Sequence, residues 1–220
     1  MKQKRILCLL LCAALVLLLA ACGANTQTNS TTSAAPDTTT GESAAPTDQN
    51  ETKENTTMEH KKVKFTMENG GTFTIEMYPE YAPKTVENFL KLAESNYYAG
   101  TTFHRVYPGF MAQGGEGADT PTIKGEFASN GFTQNTLSHT RGVVSMARTT
   151  VKDSASSQFF ICYDDVSYSL DGDYAAFGKV IDGMDTVDAF CDIEREYNGF
   201  DRVPTAPVEP IVIASAEIVK

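Results

Sequence analysis

The chain has no tryptophan, only three histidines among 220 residues, and no long basic block. Lysine and arginine number 18 against 28 aspartates and glutamates, a formal net charge of −10. Binding to a phosphate backbone rests on clustered lysine and arginine, so this balance excludes an electrostatic footprint for nucleic acid and reads instead as solubility. His60, His104 and His139 lie far apart with no ligand-like spacing, which argues against a metal site. Beyond the first two dozen residues there is no long hydrophobic run. The remaining apolar residues come in short stretches, as in an ordinary soluble domain.

The first residues differ in kind from the rest. Lys2, Lys4 and Arg5 precede an almost wholly apolar stretch from Ile6 to Ala21. Small residues then lead to a cysteine in Leu19-Ala20-Ala21-Cys22. A positive start, an apolar run and small residues before a cleavage point form the pattern of a secretory signal. The cysteine resembles the lipobox of bacterial lipoproteins. That resemblance implies cleavage after residue 21 and a diacylglyceryl group on Cys22. It further implies an exported protein anchored by lipid to the outer face of the bacterial cell membrane. A span of that length would be short for a membrane helix, which needs about 20 residues. Of the five cysteines, Cys8 and Cys12 leave with the leader and Cys22 carries lipid. Cys162 and Cys191 remain, and Cys162 sits in so apolar a run that a buried free thiol is expected rather than a disulfide.

Residues 22–60 are threonine, serine, asparagine, alanine and proline with scattered acids. Such a segment buries too little surface to offset its ordering entropy, so a disordered tether is expected. Its r.m.s. reach would be roughly 30–35 Å. The folded domain is expected over 61–220. Val63, Phe65 and Met67, then Phe73, Ile75 and Met77, alternate with polar residues around Asn69-Gly70-Gly71, a hairpin pattern. Over 83–95 the period changes: Val86, Phe89, Leu90 and Ala93 share one helical face behind Pro83. Short apolar runs at 102–107, 110–113, 143–147, 158–163, 175–180 and 211–219 read as strands. Residues 182–191 read as a second helix with Met184, Val187 and Cys191 inward. About eight strands and two helices suggest a mainly β barrel or sandwich capped by helices.

Four ordered blocks narrow this further. Phe103-His104-Arg105-Val106-Tyr107-Pro108-Gly109-Phe110-Met111-Ala112-Gln113-Gly114-Gly115 resembles the signature of the cyclophilins. So do Gly142-Val143-Val144-Ser145-Met146-Ala147, Ser154-Ala155-Ser156-Ser157-Gln158-Phe159-Phe160-Ile161-Cys162, and Leu170-Asp171-Gly172 with Ala176-Phe177-Gly178-Lys179-Val180. The likeness covers 61–220. It implies a closed eight-stranded antiparallel barrel with two helices, a groove on its outer face, and peptidyl-prolyl cis/trans isomerase activity. The implied partners are proline-containing polypeptides, met by a monomer that uses no cofactor.

The chemistry explains the residue types. Turning an X-Pro amide costs about 18–20 kcal/mol because the bond has partial double-bond character. No covalent bond is made, so no nucleophile, base or metal is required. The twisted amide has a pyramidal nitrogen, and a donor aimed there binds the transition state better than either ground state. The resemblance assigns this role to Arg105, whose guanidinium offers forked donors. It assigns the proline pocket to Phe110, Met111, Phe160 and Leu170, substrate backbone contacts to Gln113 and Ala147, a groove position to Gln158, and a substrate-binding position to Tyr174. His104 is adjacent, but the reaction needs no base. Taken singly, Arg105 would be an ordinary solvated strand residue, and Phe110, Phe159, Phe160 and Phe177 would be core. Ser169, Tyr174 and Arg148 stand where the best-known eukaryotic pattern has Trp, His and Asn, which places binding of cyclosporin-like macrocycles in doubt. Two further classes stay open on sequence: a non-catalytic proline-peptide module or holdase, and a solute-binding lipoprotein.

Overall fold

In a computed structural model, residues 60–220 are described. The leader, Cys22 and the expected tether up to residue 59 lie outside the described residues. Strands β1 (Lys62–Met67) and β2 (Thr72–Met77) form the expected hairpin, with Val63, Phe65, Phe73, Ile75 and Met77 fully buried. Gly70 takes φ 85°, a conformation open to glycine at no steric cost, and the Asn69 side chain accepts the Gly71 N–H at 3.0 Å.

Helix α1 (Pro83–Glu94) begins at proline, whose missing N–H is no loss in a first turn. Its N-cap, Ala82, has no side chain to offer. Glu126, buried in a distant loop, takes that place. Its carboxylate accepts the N–H groups of Lys84 at 3.0 Å and Thr85 at 2.8 Å, and the Thr85 hydroxyl at 2.7 Å. The N-terminal end of the helix dipole favours a negative charge there. Val86, Phe89 and Ala93 are buried along the expected face, and Leu90 at its margin is half-buried.

The remaining strands are β3 (Thr102–Tyr107), β4 (Met111–Glu116), β5 (Val143–Met146), β6 (Phe159–Cys162), β7 (Ala176–Asp182), β8 (Arg195–Glu196), β9 (Ala206–Pro207) and β10 (Ile213–Val219). Eight of the ten strands make one antiparallel sheet in the order β10-β1-β2-β7-β5-β6-β4-β3. Its two edges meet: Phe103 N–H donates to Ile211 O at 2.9 Å, Gly100 N–H to Ile213 O at 2.8 Å, and Ile213 N–H to Thr101 O at 2.9 Å. This is the expected eight-stranded antiparallel barrel. With no tryptophan available, phenylalanines fill it. Phe65 stacks on Phe73 at 4.9 Å, and Phe89 from α1 meets Phe159 and Phe177 at 5.3 and 4.9 Å.

The second helix differs from its expected span. Strand β7 runs on to Asp182 and Gly183 turns at φ 75°, so α3 covers only Met184–Asp188 before tightening into a 3-10 turn, Ala189–Asp192. Tightening rotates the inward positions: Val187 and Phe190 are buried, while Met184 and Cys191 are half-buried. A single-turn helix, α2 (Ser167–Leu170), and the small β8–β9 ribbon were not expected. Neither is long enough to carry a period. Both remaining cysteines are free thiols, and burial pushes the Cys162 thiol up to about 12.

Candidate active site

Strand β6 splits its side chains between two environments. Phe159 and Ile161 enter the barrel core, while Phe160 and Cys162 join a second cluster with Met111, Val166 and Leu170 on the other face of the sheet. Register fixes the match across strands, with Gln113 opposite Phe160 and Met111 opposite Cys162. Gly114 is required here, because a Cβ would come within 2.8 Å of Thr102 O and 2.9 Å of Phe103 Cδ1. The Gln113-Gly114-Gly115 run is therefore strand rather than turn.

Arg105 reaches this outer face through an irregularity. Strict alternation would send Phe103 and Arg105 to the same side of β3. Instead Phe103 pairs with Gly114 and Arg105 with Gln113, leaving His104 as the extra residue of a β-bulge. Phe103 and Val106 are buried three positions apart, and His104 and Arg105 are both half-exposed between them.

A cavity of about 220 Å³ opens there, lined by Arg105, Phe110, Met111, Gln113, Ala147, Arg148, Phe160, Leu170 and Tyr174. Gln158 lies in an adjoining cavity that shares Gln113, Ala147 and Arg148. The structure thus brings all the sequence-predicted site residues of the domain to one neighbourhood. Phe110 is half-buried, whereas Met111, Phe160 and Leu170, almost wholly buried, form the floor. Tyr174 meets Phe160 edge-on at 5.7 Å. Arg148 lies over the rings of Tyr174 and Phe127 at 4.6 and 5.0 Å, a cation–π arrangement that sets a positive charge on the rim.

The polar wall is a connected network. Arg105 Nε and Nη2 donate to Asp201 Oδ2 and Oδ1, each at 2.7 Å, and Nη1 donates to Gln113 Oε1 at 3.3 Å. Gln113 Nε2 in turn donates to Gln158 Oε1 at 2.9 Å. The guanidinium of Arg105 outweighs burial and, with Thr205 and Asn198, holds the Asp201 carboxyl well below the usual carboxylate range. Burial lowers the His104 imidazole despite Glu116, whose carboxylate stands 3.8 Å away.

The sequence does not single out His139 for any part in the site. Its backbone is irregular, but its side chain is buried below the groove and stacks on Phe160 at 6.0 Å. Nδ1 lies 2.7 Å from Asp171 Oδ1 and Nε2 lies 3.0 Å from Ser145 Oγ. In the neutral tautomer this network selects, Nδ1–H donates to the carboxylate and Nε2 accepts the hydroxyl proton. The trio has the connectivity of a hydrolase triad, but Ser145 is fully buried, so its hydroxyl meets no substrate. Burial pushes the Asp171 carboxyl up, but bonds from the His139 N–H, the Ser138 hydroxyl and the His139 ring prevail and leave it below its ordinary value. No single sequence signal marks these three as neighbours.

The profile of the family described as cyclophilin type peptidyl-prolyl cis-trans isomerase/CLD matches residues 62–218. Peptidyl-prolyl cis-trans isomerase A of Dickeya dadantii is 42% identical over 162 residues, which cover 68% of this chain and 80% of that protein. Peptidyl-prolyl cis-trans isomerase B of Bacillus subtilis is 43% identical over 127 residues, 55% of this chain and 84% of that one. A crystal structure of a cyclophilin type isomerase from Cryptosporidium parvum superposes with a TM-score of 0.62 at 28% identity, covering 74% of this chain and 99% of that chain.

The buried imidazole has a consequence for stability. Burial lowers the His139 pKa despite the bonds to Asp171, so the unfolded chain binds the proton more tightly. Between an unfolded value of about 6.5 and the lower folded value, the unfolded state holds more protons and stability rises with pH. Unfolding free energy measured in urea is expected to fall as the pH is lowered from 7.5 to 5. In His139→Gln the slope should be shallower, the remainder coming from His104 in the same sense. Equal slopes in both proteins would contradict this protonation scheme.

Proposed function

The chain belongs to the cyclophilin-type peptidyl-prolyl cis-trans isomerases, and from that premise we propose that Arg105 is its catalytic residue and the cavity beside it the seat of the substrate proline. The observation that carries the reading is a guanidinium at the wall of a cavity that also presents Phe110, Met111, Phe160 and Leu170, with donors to spare. Arginine has five N–H groups. Asp201 takes one from Nε and one from Nη2, and Gln113 takes one from Nη1. One N–H on each terminal nitrogen is left to meet a twisted amide.

The steps need only this chain's own groups. A proline ring enters among Phe110, Met111, Phe160 and Leu170, and its burial removes water from the amide. Gln113 and the main chain at Ala147 hold the flanking peptide, with Gln158 fixing the Gln113 amide. Rotation about the X-Pro bond pyramidalises the nitrogen, and its new lone pair accepts from Arg105. A charge-assisted hydrogen bond of this kind contributes about 1.5–3 kcal/mol, one to two decades of rate. Enzymes commonly supply 8 kcal/mol or more, about 10⁶-fold. Pocket burial and backbone clamping must therefore favour the twisted form too.

The setting belongs to the same proposal. A leader ending in Leu19-Ala20-Ala21-Cys22 supports export and lipidation of Cys22, with the domain acting on exported proteins at the outer face of the membrane. Two acyl chains anchor stably where one binds only marginally. The acidic balance of the chain leaves little basic surface to compensate on an anionic membrane.

Replacing Arg105 by alanine is expected to lower kcat/KM for a proline peptide at least tenfold (about one decade, as one charged bond requires), with a lowered midpoint of thermal unfolding because Asp201 loses its ion partner. Unchanged turnover in the folded variant would remove Arg105 from the mechanism and favour a peptide-binding module. For the anchor, wild-type protein is expected in the membrane fraction with a lipid mass on an N-terminal Cys22. Cys22→Ser protein should be released or retained as precursor. A mature chain beginning elsewhere would overturn the lipoprotein reading alone.

A further inference from the structure

Asp201 lies 96 residues from Arg105 in sequence, in the loop 197–205 between β8 and β9, and no sequence motif singled it out. Its carboxylate accepts four hydrogen bonds. Oδ2 takes Arg105 Nε at 2.7 Å, Asn198 Nδ2 at 2.9 Å and the Thr205 hydroxyl at 2.7 Å, and Oδ1 takes Arg105 Nη2 at 2.7 Å. Asn198 also shapes the turn that presents it, its Oδ1 accepting the N–H groups of Phe200 and Asp201 at 2.9 Å each. The loop is tied to β3 beside the arginine, for Val106 N–H donates to Thr205 O at 2.8 Å and Thr205 is fully buried.

We propose that Asp201 is the positioning residue of Arg105, a carboxylate clamp on the back of the guanidinium that fixes its plane and leaves the free N–H groups aimed at the substrate amide. An arginine side chain gives up much rotamer freedom when it is ordered. Gln113 alone, with one long bond at 3.3 Å to Nη1, does not determine the plane. The bidentate fork does, because two parallel N–H···O bonds fix both direction and tilt. Ordering is thus completed during folding rather than at each turnover. Asp201 does not line the cavity and acts only through Arg105.

The inference rests on the assignment of Arg105 as the catalytic donor, so both residues are varied in the full-length protein purified in detergent. Asp201→Ala is expected to lower kcat about tenfold with KM little changed, because the lost interaction operates only in the transition state. In an Arg105→Ala background the same substitution should cost nothing further. A purely structural role would instead lower activity by the same factor in both backgrounds, and that result, or full activity in Asp201→Ala, would overturn the inference. Full activity in Arg105→Ala itself would overturn the underlying assignment as well. If Asp201→Ala does not fold, Asp201→Asn, which keeps an acceptor for one N–H, should show an intermediate kcat. The wild-type protein gives an independent reading by NMR. Slow rotation of the Arg105 guanidinium, with separate Nη resonances, is expected, and fast rotation would refute the clamp.

Discussion

The pairing of β4 with β6 is the constraint on which the rest depends. Side chains on neighbouring strands share a face only where the register brings them together, and a slip of one residue exchanges the two faces. With Gln113 opposite Phe160, the strands send Ala112, Phe159 and Ile161 into the barrel and present Met111, Gln113 and Phe160 outside. One run of six consecutive residues, Gln158 to Tyr163, therefore serves both the core and the groove. Any change that shifted this register would lose both at once.

The polar wall is imposed on that platform from outside. The bulge at His104 turns Arg105 outward, and a loop from the far end of the sequence meets it with Asp201. Beneath the floor, His139 links Asp171 to Ser145 and carries Phe160 on its ring face. Buried polar groups of this kind are costly unless each is satisfied, and both His139 nitrogens, the Asp171 carboxylate and the Ser145 hydroxyl have partners here. On the proposed reading the site works by rigidity: an apolar seat, an amide clamp and a donor whose orientation is settled before the substrate arrives.

What could be read from the sequence was what is local or what comes as an ordered set of blocks. The β1–β2 hairpin and α1 were legible because their periods of 2 and 3.6 are carried by adjacent residues. The groove residues were legible because four blocks occur together in one order, although none of those residues would have been singled out alone. The unforeseen features all depend on pairs distant in sequence. Glu126 caps a helix 41 residues away, Asp201 meets Arg105 across 96, and Asp171 closes on His139 across 32. The bulge escaped for a related reason: Phe103 and Val106 stand three apart in β3, which breaks alternation, but only the partner strand shows that His104 is the extra residue. Gly183 delays the start of α3, and neither the short α2 nor the five-residue α3 is long enough to carry a repeating pattern.

The central claim is that the groove which seats a proline also turns its peptide bond. Exchange NMR on a labelled Ala-Pro peptide with a small molar fraction of wild-type protein tests both halves in one sample. The account predicts cis–trans exchange peaks that are absent without protein, together with shifts at Phe110, Gln113 and Phe160 in the protein spectrum. Shifts at those residues without exchange, or exchange with the groove unperturbed, would contradict it.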